Sequence, residues 1–103
     1  MINEIIRTEA QAKRVSNEMV SDLKTALSIY NGYQVTKDKT NNQVVIKSDT
    51  ICPIMTYSAV SEVFKVINWY MLKYSSISYY IDTERGTERE CIPVIKVQFY
   101  ISK

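Results

Sequence analysis

Apolar positions recur at steps of three and four through the first third of the chain: Ala12, Val15, Met19, Leu23, Ala26, Leu27 and Tyr30, with Ile5 ahead of them. That spacing is one stripe of an amphipathic helix, predicted from about Asn3 to Asn31. Lys13, Arg14, Glu18 and Lys24 fall mostly off the stripe, as a solvated face requires. Asn31-Gly32 reads as the stop, because glycine takes the left-handed conformation beyond a helix end without steric cost.

The period then changes from near four to two. Tyr33 to Lys37 alternates and predicts a strand, and Asp38 to Asn42 reads as a turn, with Asn41-Asn42 suited to positive φ. Gln43 to Lys47 is a second strand, placing Val44 and Ile46 on one face and Val45 and Lys47 on the other. Ile51 to Met55 suggests a short third strand, which Pro53 confines to an edge or a bulge because proline cannot donate to a ladder.

A second helix is expected from Thr56 or Ser58 as N-cap to about Tyr74. Val60, Phe64, Ile67, Met71 and Tyr74 form one stripe, and Val63, Val66, Trp69, Tyr70 and Leu72 widen the apolar surface well beyond it. A helix apolar over so much of its circumference needs more than one dry neighbour. The neighbours are either the sheet and the first helix, or another subunit meeting Val63, Val66, Trp69 and Tyr70. Ile77 to Asp82 predicts a strand with Ile77, Tyr79 and Ile81 on one face, followed by the charged loop TERGTERE. The last strand alternates most cleanly: Ile95, Val97, Phe99 and Ile101 against Lys96, Gln98, Tyr100 and Ser102.

These elements predict one α+β domain over residues 1–103, with two helices on one face of a four- or five-stranded antiparallel sheet. The order is α-β-β-(β)-α-β-β. The length of 103 residues suits one core and is too short for two. Isoleucine and valine far outnumber leucine, which favours a substantial sheet because β-branched side chains pack well on a pleat.

Chemistry is sparse. The chain has no histidine and only Gly32 and Gly86, so an imidazole, a glycine-rich phosphate loop and a histidine metal site are all missing. Asp82, Glu84, Glu88 and Glu90 are interleaved with Arg85 and Arg89, the pattern of a self-neutralising loop more than of a cation site. Cys52 and Cys91 have no histidine to activate them and read as small buried hydrophobes in a reducing compartment. No catalytic residue, cofactor or metal is therefore expected, and the protein is read as no enzyme.

The opening MINEIIRTEAQ is polar and mixed in charge, unlike a signal peptide, and no apolar run nears the ~20 residues that cross a bilayer. The reading is a cytoplasmic protein without a membrane role. Its Ile, Lys, Asn and Tyr-rich composition suits an accessory or virion protein of a phage or mobile element, which would put it in the host cytosol or the particle.

The expected function is contact with macromolecules: a non-enzymatic interaction or structural protein, paired with itself as a homo-oligomer, with a homodimer expected, and with another protein. The alternative is single-stranded nucleic-acid binding on the exposed sheet face through Lys47, Tyr80, Lys96, Gln98 and Tyr100. Tyrosines among basic and amide groups on strands make a platform on which bases stack. The formal net charge of +2 is small for that role.

Overall fold

The structure, a computed structural model, describes residues 4–30, 32–48, 57–85 and 91–102. Its elements are α1 (Glu9–Ala26), β1 (Tyr33–Asp38), β2 (Gln43–Ser48), α2 (Tyr57–Lys73), β3 (Ile77–Arg85) and β4 (Cys91–Phe99). They form the expected α+β fold, with every strand pair antiparallel and the sheet in the order β1-β2-β4-β3. β2 and β3 each run antiparallel to β4, so they are parallel to one another with β4 between them. A parallel return of that kind cannot be a tight hairpin, and α2 makes the crossover. The possible extra strand at Ile51 to Met55, the tip of the TERGTERE loop and Cys52 lie outside the described residues, while Thr83, Glu84 and Arg85 extend β3 beyond the predicted end at Asp82.

One face of the sheet carries the core. The register aligns Val35 with Ile46, Ile46 with Ile95, Val44 with Val97, and Ile77 with Phe99, and all of these side chains are buried. Val15, Met19 and Leu23 of α1 and Ala59, Val63, Ile67 and Tyr70 of α2 close over them. Burial of these chains, worth roughly 1.5–3 kcal/mol each, fixes both helices on the same side. The central stripe of α2 runs Ala59-Val63-Ile67-Tyr70-Tyr74, one position round from the stripe predicted by sequence. Phe64 and Met71 flank it, half-buried.

The ends of α1 differ from expectation for a definite reason. Thr8 is the N-cap: its Oγ1 accepts the Gln11 amide at 3.1 Å, and Gln11 Oε1 accepts the Arg7 amide at 3.0 Å. This reciprocal arrangement starts the helix at Glu9 and not near Asn3. The chain before it is extended and sewn between two other elements. Glu4 donates to the Lys73 carbonyl at 2.8 Å and accepts from the Ser75 amide at 3.0 Å. Ile6 donates to Ser76 Oγ at 3.2 Å and accepts from Ser102 at 2.8 Å. Neighbouring side chains of an extended segment point opposite ways, so Ile6 is fully buried while Ile5 is exposed, the reverse of the sequence reading. At the other end α1 stops at Ala26, capped by Leu27, and Gly32 (φ 86°) turns the chain into β1. Asn42 (φ 52°) holds the left-handed position predicted for the β1–β2 turn.

Ile6 is fully buried in the core, and its backbone is bonded to Ser76, ahead of β3, and to Ser102, beyond β4. Ile6→Ala is expected to lower unfolding free energy by about 2–5 kcal/mol, read as a lower urea midpoint with unchanged slope.

Candidate interaction surfaces

Four surfaces bear on function. The first is the side of α2 turned from the sheet. Of the four residues predicted to meet a partner, Val63 is fully buried, Tyr70 is 2% exposed and both belong to the chain's own core. They fall on the i, i+4, i+7 line that faces α1 and the sheet, which corrects their assignment as contact residues. Val66 is half-buried against the core, and Trp69 is 54% exposed. Trp69 lies edge-on to Tyr70 (centroids 4.8 Å, 79°), with Lys73 Nζ 5.0 Å above its ring. Leu72, one turn of the wheel further out, is 67% exposed.

Tyr70 shows how the two helices are joined. Its hydroxyl donates to Asp22 Oδ2 of α1 at 2.5 Å. Burial first, then this bond to the carboxylate, push the phenol well above its ordinary value.

The second surface is the edge strand β3. Its helix-side residues lose cover along the strand: Ile77 is 5% exposed, Tyr79 39% and Ile81 61%. Phe64 of α2 packs edge-on against Tyr79 (5.1 Å, 62°), and the register sets exposed Ile81 beside buried Ile95. Ile81 therefore belongs by parity to the core face yet is left largely exposed by the described helices.

The third surface is the sheet face away from the helices. The register puts Lys47, Tyr80, Lys96 and Gln98 there together, as the sequence pattern indicates. Tyr100 lies just past β4, exposed, with its amide on the Ser76 carbonyl at 2.8 Å. The side chains already engage one another. Gln43 Nε2 donates to Tyr80 Oη at 2.7 Å and to Gln98 Oε1 at 2.8 Å, and Gln98 Nε2 donates to the Asn41 carbonyl at 2.7 Å. Lys96 Nζ pairs with Asp82 at 3.0 Å. Val94, between Lys47 and Asp82 in the register, is fully buried on this face.

The fourth surface is a groove between the first half of α1 and the β1–β2 turn, lined by Lys13, Ser16, Lys37, Lys39 and Asn42 among others. Sequence reading missed it, because Lys13 is far in the chain from Lys37 and Lys39. The exposure of Leu72 and Ile81 was missed as well. Periodicity reports which face a residue is on and says nothing of how far the covering layer extends.

Among the described residues no three potential metal ligands cluster, and no helix is long and apolar enough to cross a membrane. No family model matches the chain, and comparison with curated proteins and with solved structures returns no match.

The Tyr70–Asp22 bond gives a signed pH dependence. A phenol held protonated in the folded state contributes stability that is fully present below its unfolded value of 10.0 and is lost as pH rises above that. Tyr70→Phe is expected to cost about 1.5–3 kcal/mol at pH 8 and to lose less further stability than the unsubstituted protein between pH 9 and 11, measured by urea unfolding at each pH.

Proposed function

We propose that this protein is a non-enzymatic interaction or structural protein that acts as a homo-oligomer, using the outer side of α2 and the uncovered half of β3. The observation that carries this reading is the exposure of Trp69, Leu72, Tyr79 and Ile81, large apolar side chains on neighbouring elements of so small a fold. Leaving such surface in water is unfavourable, and aromatic anchors of this kind dominate contact energies when they fill a pocket. Among the described strands β3 is also a sheet edge, the kind of position that takes up a further strand. The absence of histidine supports a role without acid–base chemistry. The first partner is a second copy, with another protein as the further one. The composition fits an accessory or virion protein of a phage or mobile element.

A second reading, single-stranded nucleic-acid binding, draws support from the shared face of Lys47, Tyr80, Lys96 and Gln98. It requires Tyr80, Lys96 and Gln98 to give up hydrogen bonds they already make, and Asp82 offsets the charge of Lys96. That cost places it second.

Light scattering across a dilution series is expected to give a mass above the 11.9 kDa of one chain. The double variant Leu72→Lys, Ile81→Lys is expected to be monomeric with little change in urea midpoint. A protein that is monomeric at every concentration would overturn the reading. Steeply salt-sensitive oligonucleotide binding that Tyr80→Ala abolishes would replace it with the second one.

A further inference from the structure

A groove of about 240 Å³ runs between α1 and the tip of the β1–β2 hairpin. Its cations converge from three places. Lys13 stands on α1, Lys37 near the end of β1, and Lys39 in the turn. Lys37 is on the helix side of β1, the same side as Val35, and its ammonium reaches across to Asn17 Oδ1 of α1 at 2.8 Å. Lys13 is one helical turn before Asn17, so both line the same flank of α1. Ser16 and Asn42 add polar groups to the wall, and Ala12 and Phe99 form an apolar floor.

Two carboxylates, Glu9 and Asp38, also line the groove. Asp38 is committed to its own turn. Its oxygens accept from the amides of Thr40 (3.1 Å) and Asn41 (3.3 Å) and from Asn41 Nδ2 (2.7 Å). Glu9 lies one turn before Lys13 on α1. Neither forms an ion pair with the three lysines among the described residues, where the ion pairs are Lys65–Glu62 and Lys96–Asp82. The cations repel each other instead: Lys37 is pulled below its ordinary value by burial first, then by Lys39 and Lys13. Folding alone gains nothing from this convergence, since neighbouring like charges are unfavourable.

We propose that this groove binds a phosphate-type oxyanion, held by Lys13, Lys37 and Lys39 with the Asn42 side chain as a hydrogen-bonding neighbour, while the Ser16 hydroxyl stays on the Lys13 carbonyl at 3.0 Å. A multiply charged oxyanion removes the repulsion among the ammonium groups and accepts their donors together, which a monovalent ion does poorly. The phosphate can be that of a small phosphorylated compound or of a nucleic-acid backbone, and the chemistry at the groove is the same. The site is separate from Trp69, Leu72 and Ile81, so it stands whether or not the protein self-associates.

Pyrophosphate titrated into the ¹⁵N-labelled protein, against sodium chloride at equal ionic strength, tests the proposal. The expected result is saturable shifts at the amides of Lys13, Ser16, Lys37, Lys39 and Asn42 that chloride does not reproduce. Lys13→Gln with Lys39→Gln, both exposed positions, should weaken binding by about tenfold while leaving the rest of the spectrum in place. A parallel titration with a short oligothymidylate separates the two sources: shifts at the same amides name a phosphodiester, and their absence with pyrophosphate still bound names a small phosphate compound. Shifts that follow ionic strength alone, that spread over the surface, or that survive the double substitution unchanged would overturn it.

Discussion

The structure depends on the register of β4. It is paired on both sides, with β2 along one edge and β3 along the other. Its alternation sends Ile95, Val97 and Phe99 under the helices and leaves Lys96 and Gln98 on the far face. A slip of one residue would invert that set, driving an ammonium and an amide into the core and three large apolar chains out of it. Both hairpins therefore take their alignment from this strand. The helices in turn cover whichever face it makes apolar. The Gln43, Tyr80 and Gln98 side chains on the opposite face tie the same register from outside, so apolar and polar contacts specify one pairing.

The helix layer is narrower than the sheet. α1 lies over β1 and β2, α2 packs on β3 through Phe64 and Tyr79, and exposure rises along β3 from Ile77 to Tyr79 to Ile81. Tyr70 donates to Asp22 across the seam between the helices, and burial of Val63, Ile67 and Tyr70 sets the rotation of α2 about its axis. With Tyr70 and Val63 turned inward, Trp69 and Leu72 are necessarily turned outward. The exposed apolar surface is thus a geometric result of how the core is filled.

Much of the fold was legible because two periods dominate the chain. The alternation in β4, the stripe in α1 and the turn at Asn42 each follow from a local rule with no competitor. The start of α1 was not, because Ile5 and Ile6 are both apolar and only the partner segments near Ser76 and Ser102 decide which is buried. The width of α2 misled in a similar way. Its apolar residues cover most of the helix, and sequence cannot rank Val63 and Tyr70 against Trp69 and Leu72 without knowing where α1 and the sheet lie. The platform residues Lys47, Tyr80, Lys96 and Gln98 were placed on one face correctly by parity. Their mutual hydrogen bonds depend on pairing between strands far apart in sequence. The lysine groove was invisible for the same reason, as Lys13 and Lys37 meet only across a packed helix and strand.

The strand order has a consequence for synthesis. β4 occupies an interior position in the sheet but leaves the ribosome after every other element. Until it arrives, β2 presents a backbone edge beside apolar side chains, and the β1–β2 hairpin lacks its lasting neighbour. The β2 edge waits from Ser48 until β4 begins at Cys91. Its passage to the native state is governed by long-range closure, and premature strand capture between chains is its characteristic hazard.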